Sequence, residues 1–312
     1  MKILLRIALS FLLATTLSPF QLSAQCQSLT TNDFAKRPPP PASAEATSQM
    51  EARLGEARVR YKAAPNDPEA AIWLGRRLAY LGRFADAIEV YTSGIAKFPG
   101  DARFYRHRGH RYITLRRFDL AIVDFQKAAS LVKGSPDEVE PDGQPNARNI
   151  PTSTLQFNIW YHLGLAQYLT GDYRAALNSY RECLKVSKNP DSIVATTHWL
   201  YITLRRLRRP REAGQALAPI ATKMDIIEND GYYKLVLMYK GLVDSDTLLA
   251  ETLKNSESAG THSVVYGIAN WHLYNGRRDK GVELLRRLSS SNQWTSFGVI
   301  AAEADLKRQK LD

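Results

Sequence analysis

The chain is poor in cysteine, with two among its 312 residues. Cys26 lies near the start, whereas Cys183 falls between Tyr180 and Leu184 on the predicted inner face of a helix. A free cysteine in such a place behaves as a small apolar residue. Two cysteines in such different settings do not form a disulfide framework.

Sequence signatures of catalysis are also lacking. The chain has no glycine-rich phosphate loop, no serine nucleophile elbow and no paired-histidine metalloprotease motif. His107 and His110 lie three residues apart on a predicted helix, and His162 follows one repeat later. That spacing is compatible with a metal, but no third ligand is evident. We therefore predict that the protein is not an enzyme and has no metal site and no cofactor.

Long apolar runs are confined to the first residues of the chain. Residues 3–17 are almost continuously apolar, interrupted by the basic Arg6, and this stretch is shorter than the ~20 residues that span a bilayer. Lys2 precedes the run, and Pro19 breaks it before Ala24. This layout predicts a secretory signal peptide over residues 1–24, and hence an exported protein that is periplasmic or secreted. An uncleaved anchor is the less favoured alternative.

The segment after the predicted cleavage site is rich in proline, alanine, serine and threonine. Residues 25–43 contain four consecutive prolines, Pro38 to Pro41, and are predicted to form a disordered tether. Lipoprotein anchoring at Cys26 is less favoured, because Gln25 separates it from the small residue at the cleavage site.

A period of 34 residues relates the segment 71–84 to the segment 105–118. The matching pairs are Gly75 and Gly109, Phe84 and Phe118, Ala87 and Ala121, and Tyr91 and Phe125. A third copy contains Trp160, Leu163, Gly164, Gly171, Tyr173, Ala176 and Tyr180. A period of this length is typical of helical repeats, and small residues at fixed positions let paired helices approach closely.

This pattern resembles the tetratricopeptide repeat. The resemblance implies an all-α fold, an α-solenoid of stacked antiparallel helix pairs in a right-handed superhelix. It also implies a protein-binding surface, although the repeat serves many unrelated proteins. We expect a single solenoid over residues 44–312, with repeats near 68–101, 102–135 and 157–190 and degenerate helix pairs over 191–312.

The degenerate part contains predicted helices without the full motif. They are expected near residues 196–207, 212–222, 232–242, 245–253, 264–274 and 282–288, with a terminal helix over 297–310. A helix beginning near Ala44 is expected to cap the first repeat.

An insertion over residues 134–153 separates the second and third repeats. It contains four prolines and four acidic residues, and its prolines exclude a continuous helix. Either the insertion is a plain surface loop, or it has a function. It could also fold back onto Arg103 and Arg106 and neutralise them.

Acidic residues are the minority charge: 42 lysines and arginines oppose 31 aspartates and glutamates, a net charge of +11. Loss of Lys2 and Arg6 with the signal peptide would leave +9. Residues 103–117 contain six arginines and no acid, and a second cluster lies within residues 205–211.

By resemblance, one stripe on the first helix of each repeat lines a concave groove. The predicted ligand-binding residues on it are Arg76, Tyr80, Arg103, Arg106, His110, Tyr161 and Tyr168. Cationic and aromatic groups suit an acidic, partly apolar segment of a protein partner. The sequence therefore predicts a non-enzymatic interaction scaffold.

Two other interpretations of the charge remain open. The protein could bind an anionic envelope polymer or a lipid membrane surface, or the arginines could form a solvated face. Export argues against nucleic acid as a partner. The oligomeric state is not predicted.

Overall fold

The structure is a computed structural model that describes residues 37–40, 42–254 and 259–309. These residues form α-helices and no named strand, with one isolated antiparallel bridge between Val139 and Thr154. The all-α solenoid prediction is confirmed. The predicted signal peptide, Cys26 and most of the proposed tether lie outside the described residues.

The motif-bearing half contains seven helices. They are α1 (Ala44–Ala63), α2 (Pro68–Tyr80), α3 (Phe84–Lys97), α4 (Ala102–Thr114), α5 (Phe118–Leu131), α6 (Leu155–Thr170) and α7 (Tyr173–Val186). Consecutive helices pack against each other through the whole series, and α1 covers α2.

The remaining described residues contain seven further helices. They are α8 (Pro190–Arg206), α9 (Pro210–Ala216), α10 (Asp230–Tyr239), α11 (Ser245–Lys254), α12 (Ala259–Tyr274), α13 (Arg278–Ser289) and α14 (Phe297–Gln309).

Helices α2 and α4 begin in the same way. The Asp67 carboxylate accepts a hydrogen bond from the Glu69 N–H at 2.9 Å, and Asp101 accepts one from the Arg103 N–H at 3.0 Å. Pro68 occupies the first helical turn of α2, where a missing N–H is tolerated. Side-chain acceptors at these positions satisfy amides that the first turn leaves unpaired.

The repeated glycines permit close packing of each helix pair. A Cβ atom on Gly75 would lie 2.3 Å from the ring of Tyr91, and one on Gly164 would lie 2.8 Å from Tyr180. The aromatic ring thus occupies the space that any side chain at the glycine would need. This contact explains why glycine and the aromatic residue recur together.

The prediction of a helix over residues 212–222 was wrong at its end, because α9 stops at Ala216. Pro219 has no N–H to continue the helix and disfavours helical backbone at the preceding residue. The chain from Leu217 to Asn229 instead forms a short turn followed by bends and irregular chain, with Ile220 buried.

The last helix returns to the earlier repeats. Helix α14 contacts α12 and α13, and it also contacts α6 of the third repeat. Ala301, Ala302 and Leu306 are at most 3% exposed, as expected for a terminal cap. None of the helices in the described ranges combines the length and apolar character needed to cross a bilayer.

Candidate functional site

Three arginines approach each other on the faces of α2 and α4, and we call them the N-terminal arginine cluster: Arg76, Arg106 and Arg111. Arg76 and Arg106 are each only 8% exposed. Burial raises the pKa of the Tyr91 hydroxyl, and all three arginines oppose that shift, so they surround one buried group. The cluster is therefore a concentration of positive charge with restricted access to water.

The insertion supplies the counter-charge of Arg106. Its Glu140 carboxylate lies 2.9 Å from the Arg106 guanidinium and accepts a hydrogen bond from Asn158 at 3.1 Å. The Nε2 atom of His107 lies 3.9 Å from the same carboxylate. The loop thus places one carboxylate inside the cationic stripe, as the fold-back alternative predicted for Arg106.

Further contacts hold the insertion against the first repeat. Arg77 donates a hydrogen bond to the Gly143 carbonyl at 3.0 Å. A Cβ atom at Gly143 would lie 1.9 Å from the Tyr80 hydroxyl, so a larger residue there would have to displace the Tyr80 side chain. At the loop base the Glu140 N–H donates to the Ser153 carbonyl at 3.2 Å. The loop therefore spans from the third repeat back to the first.

The other two arginines of the cluster contact no carboxylate among the described residues. Arg76 donates to the Tyr80 hydroxyl at 3.3 Å and lies over the Trp73 ring. Arg111 lies over the Phe84 ring at 5.6 Å. Burial, together with Arg106 and Arg76, lowers the pKa of Arg111 to about 10. The arginine cluster therefore retains positive charge that an anion would stabilise.

Arg103 is placed apart from the cluster. Its guanidinium lies 2.6 Å from Asp101 and 2.7 Å from Glu69. Glu69 and Arg103 occupy equivalent positions of successive repeats, 34 residues apart. Glu69 of the first repeat and Arg103 of the second therefore form an ion pair with each other. Together with Asp101, Glu69 neutralises the charge of Arg103.

His110 is covered by aromatic groups. Its ring lies 4.6 Å from the ring of His162 and 5.5 Å from that of Phe297, the first residue of α14. Burial, with Arg111 and His162 nearby, lowers the pKa of His110 well below its usual value. His110 is therefore neutral at ordinary pH.

Tyr161 and Tyr168 lie in the packed interior, at 6% and 1% exposure. Trp199 donates a hydrogen bond to the Tyr161 hydroxyl at 2.7 Å, and Tyr266 donates one to the Tyr168 hydroxyl at 3.0 Å. An open groove was expected along this stripe, but later helices cover it at the third repeat. In this structure a ligand does not reach either tyrosine.

Arg111 and Glu140 were missed as site residues, although both stand in segments that the sequence singled out by charge. Arg111 lies five residues after Arg106 on α4 and therefore off the predicted stripe. Within the described part of the chain, no group of three or more histidine, cysteine, aspartate or glutamate side chains could hold a metal ion.

Comparison with known proteins supports the repeat assignment. Family models described as tetratricopeptide repeats match residues 72–137 and 157–190. Both matches fall on helix pairs with the glycine and aromatic contacts described above. The chain therefore contains tetratricopeptide repeats over these two ranges. No curated protein sequence matches it.

Several solved structures are distantly similar. A tetratricopeptide-repeat protein from Parabacteroides merdae is 11% identical, with 83% of this chain and 94% of that chain covered and a TM-score of 0.45. YrrB, described as a protein with an unusual peptide-binding site, is 14% identical, with 80% and 97% covered and a TM-score of 0.43. MamA of strain AMB-1 is 18% identical, with 56% and 92% covered and a TM-score of 0.40. Similarity at these values supports no conclusion about function.

Proposed function

We propose that the protein is a non-enzymatic scaffold that binds an acidic segment of a protein partner at the N-terminal arginine cluster. The observation that supports this most directly is the position of Glu140, which occupies the cluster as a partner's carboxylate would. The insertion would then be an internal competitor, displaced when a partner presents carboxylates of its own.

The charge of the cluster indicates that an acidic segment would bind there more favourably than Glu140 alone does. Only the Arg106 guanidinium contacts a carboxylate, that of Glu140, whereas the guanidiniums of Arg76 and Arg111 contact none among the described residues. The Nε atom of Arg106 is buried without a hydrogen-bond partner in the same part of the chain. Charge-assisted hydrogen bonds to carboxylates are stronger than neutral ones, so a segment with two or more acids would bind better than Glu140 alone.

The proposal keeps four of the predicted ligand-binding residues and sets three aside. Arg76, Tyr80 and Arg106 contact the insertion or the cluster directly, and His110 borders it. Arg103 is set aside because two carboxylates neutralise it. Tyr161 and Tyr168 are set aside because they are buried.

A labelled peptide with the sequence of residues 136–144 tests the proposal, since it presents the carboxylates of the insertion in trans. Binding to the full chain is measured by fluorescence anisotropy. Glu140→Gln removes the internal competitor, so we expect the peptide to bind this variant about tenfold more tightly than the native protein. Adding Arg111→Gln to Glu140→Gln should reverse most of that gain.

The matched control is Arg174→Gln, which removes one positive charge from an exposed position on α7. Its peptide affinity should equal that of the native chain at 0.15 M salt, where distant surface charges are screened. Equal affinities of the native and Glu140→Gln proteins would contradict the proposal. So would an equal loss for Arg111→Gln and Arg174→Gln.

We further propose that this binding takes place outside the cytoplasm, in the periplasm or after secretion. The support is the basic, apolar and small-residue layout of residues 1–24. Mass spectrometry of the protein from its native cell should find a mature chain that begins at Gln25. An intact chain that begins at Met1 in the cytoplasmic fraction would contradict export.

A further inference from the structure

A second concentration of arginines lies between the end of α8, the α12–α13 turn and the end of α14. It lines an open cavity of about 590 Å³. We call it the C-terminal arginine pocket, and its arginines are Arg205, Arg206, Arg208, Arg278 and Arg308. No carboxylate of a described residue lines it, and the rest of its wall includes the rings of Tyr173 and Tyr274.

One buried acid, Asp305, contacts two of the pocket arginines. Asp305 is 1% exposed, and its carboxylate contacts the guanidinium of Arg206 and lies 2.6 Å from that of Arg308. The Tyr266 hydroxyl donates to the same carboxylate at 2.9 Å. Asp305 therefore holds two guanidiniums in fixed positions, and its single charge is shared between them.

The remaining arginines are not neutralised. Arg205 donates to the hydroxyl of Tyr201 at 3.0 Å and to the carbonyl of Tyr274 at 3.3 Å, and it lies 4.3 Å from the centre of the Tyr274 ring. These neutral partners orient its guanidinium without cancelling its charge. The side chains of Arg208 and Arg278 make no hydrogen bond or ion pair with any described residue.

The backbone of Arg208 is a second, independent observation. Its φ is +58°, in the left-handed region that favours glycine. The equivalent turns after other first helices have glycine there, with φ of +75° at Gly82 and +80° at Gly276. In each of these turns, the residue's own N–H bonds to the carbonyl three residues back. Arginine thus replaces glycine at an energetic cost.

Arg116 is likewise an arginine at a turn position that favours glycine, and its contacts show what can offset the backbone cost. Arg116 has a φ of +59°, and its guanidinium pairs with Glu303 at 2.7 Å and donates to the Trp294 carbonyl at 2.7 Å. Contacts with Glu303 of the last helix and with Trp294 just before it therefore offset the backbone cost at Arg116. Arg208 has no such contact among the described residues, and its side chain borders the pocket.

We propose that the C-terminal arginine pocket binds a phosphate group, with Arg208 as one of its ligands. Three guanidiniums that have no acidic partner in the described part of the chain match the double negative charge of a phosphate monoester better than a single carboxylate would. The planar guanidinium fork also bonds phosphate oxygens in pairs. The phosphate could belong to a free solute or to a lipid headgroup.

Titration calorimetry of the full chain with inorganic phosphate, at constant ionic strength, tests the site. Arg208→Gly removes one guanidinium and leaves a residue suited to the turn, so the fold should be retained. We expect saturable binding to the native protein and about tenfold weaker binding to this variant. Arg116→Gly is the matched control, because it makes the same backbone change away from the pocket and should bind phosphate as the native protein does.

Vesicles that contain phosphatidic acid, compared with phosphatidylglycerol vesicles of equal charge, distinguish the two sources. Phosphate binding without vesicle binding would identify a free solute, whereas Arg208-dependent preference for phosphatidic acid would identify a headgroup. The absence of saturable phosphate binding would overturn the proposal. Equal phosphate affinities of the native and Arg208→Gly proteins would overturn it as well.

Discussion

The two arginine-rich regions of this protein look alike in sequence and differ in what neutralises them. At the N-terminal arginine cluster, the insertion places Glu140 directly against Arg106. At the C-terminal arginine pocket, the buried Asp305 is shared by two arginines. One region is covered by the chain itself, and the other is open.

This difference shows that a run of arginines in a sequence does not measure the charge available to a partner. Arg103 belongs to the stretch of six arginines over residues 103–117, yet Asp101 and Glu69 neutralise it. Arg208 belongs to a shorter cluster and makes no ion pair within the described ranges. The positive charge available to a partner depends on where the fold places the acidic side chains.

The largest effect is expected from Asp305→Ala, which removes the acid that organises the C-terminal arginine pocket. Arg206 and Arg308 would then lie partly buried without their shared counter-ion. Breaking a buried ion pair on one side typically costs about 3–5 kcal/mol of unfolding free energy. Urea denaturation measures the change.

Asp246→Ala is the control for this prediction. Asp246 also pairs with a cation, Lys280, but its side chain is 60% exposed. Exposed pairs contribute less than about 1 kcal/mol. Equal losses for the two variants would show that Asp305 is not the organising acid that the structure indicates.

Acidification is expected to have an intermediate effect on the free energy of unfolding. This effect should arise at the N-terminal arginine cluster and not at the C-terminal arginine pocket. The N-terminal arginine cluster borders buried histidines, whereas no histidine lines the C-terminal arginine pocket. Burial, with Arg106 and Arg111 nearby, lowers the pKa of His162 to about 3. In the unfolded chain its pKa returns to about 6.5, so below that pH the unfolded state binds the proton more readily.

The contribution of His162 to stability is therefore complete above about pH 6.5 and is lost as the pH falls toward 3. His162→Gln should lose less stability than the native protein on going from pH 7 to pH 5, by about 2 kcal/mol. Chemical denaturation at both pH values measures the difference. Parallel losses in the two proteins would contradict the assignment of a neutral, buried His162.

The smallest effects are expected at the two arginine turns, and they have opposite signs. Arg116→Gly relieves the backbone but removes the ion pair with Glu303, so a net loss of about 1 kcal/mol is expected. Arg208→Gly relieves the same backbone conformation and removes no contact with a described residue. It should stabilise the fold by about 0.5–1 kcal/mol. Thermal unfolding of both variants, without phosphate, measures the difference, and shifts of the same sign would contradict it.

Local patterns predicted most of the helices. The cap at Asp67 followed by Pro68 marks the start of α2, and the Gly75–Tyr91 pair marks the packing of α2 on α3. The prediction beyond Ala216 failed because it gave too little weight to Pro219. That signal was present in the sequence.

The site was predicted less completely. Arg106 was found because helical spacing places it on one stripe of α4 with His110. Arg76 was found because the resemblance puts it on the corresponding stripe of the first repeat. Tyr161 was placed on an open groove that later helices cover, and nothing in its own repeat indicates that coverage. The role of Glu140 depends on the path of the insertion, which contains no helix or strand whose register could be read.

The sequence by itself determined the repeat architecture, because glycine and aromatic residues must recur wherever two helices approach closely. It also determined the excess of positive charge. Only the tertiary structure decided which arginines are neutralised. The decisive pairs, such as Arg116 with Glu303, join residues 187 positions apart, and no local rule of helix geometry relates them. An ion pair depends on the distance between two side chains in the folded protein, whereas the repeat pattern depends on the spacing of residues along the sequence.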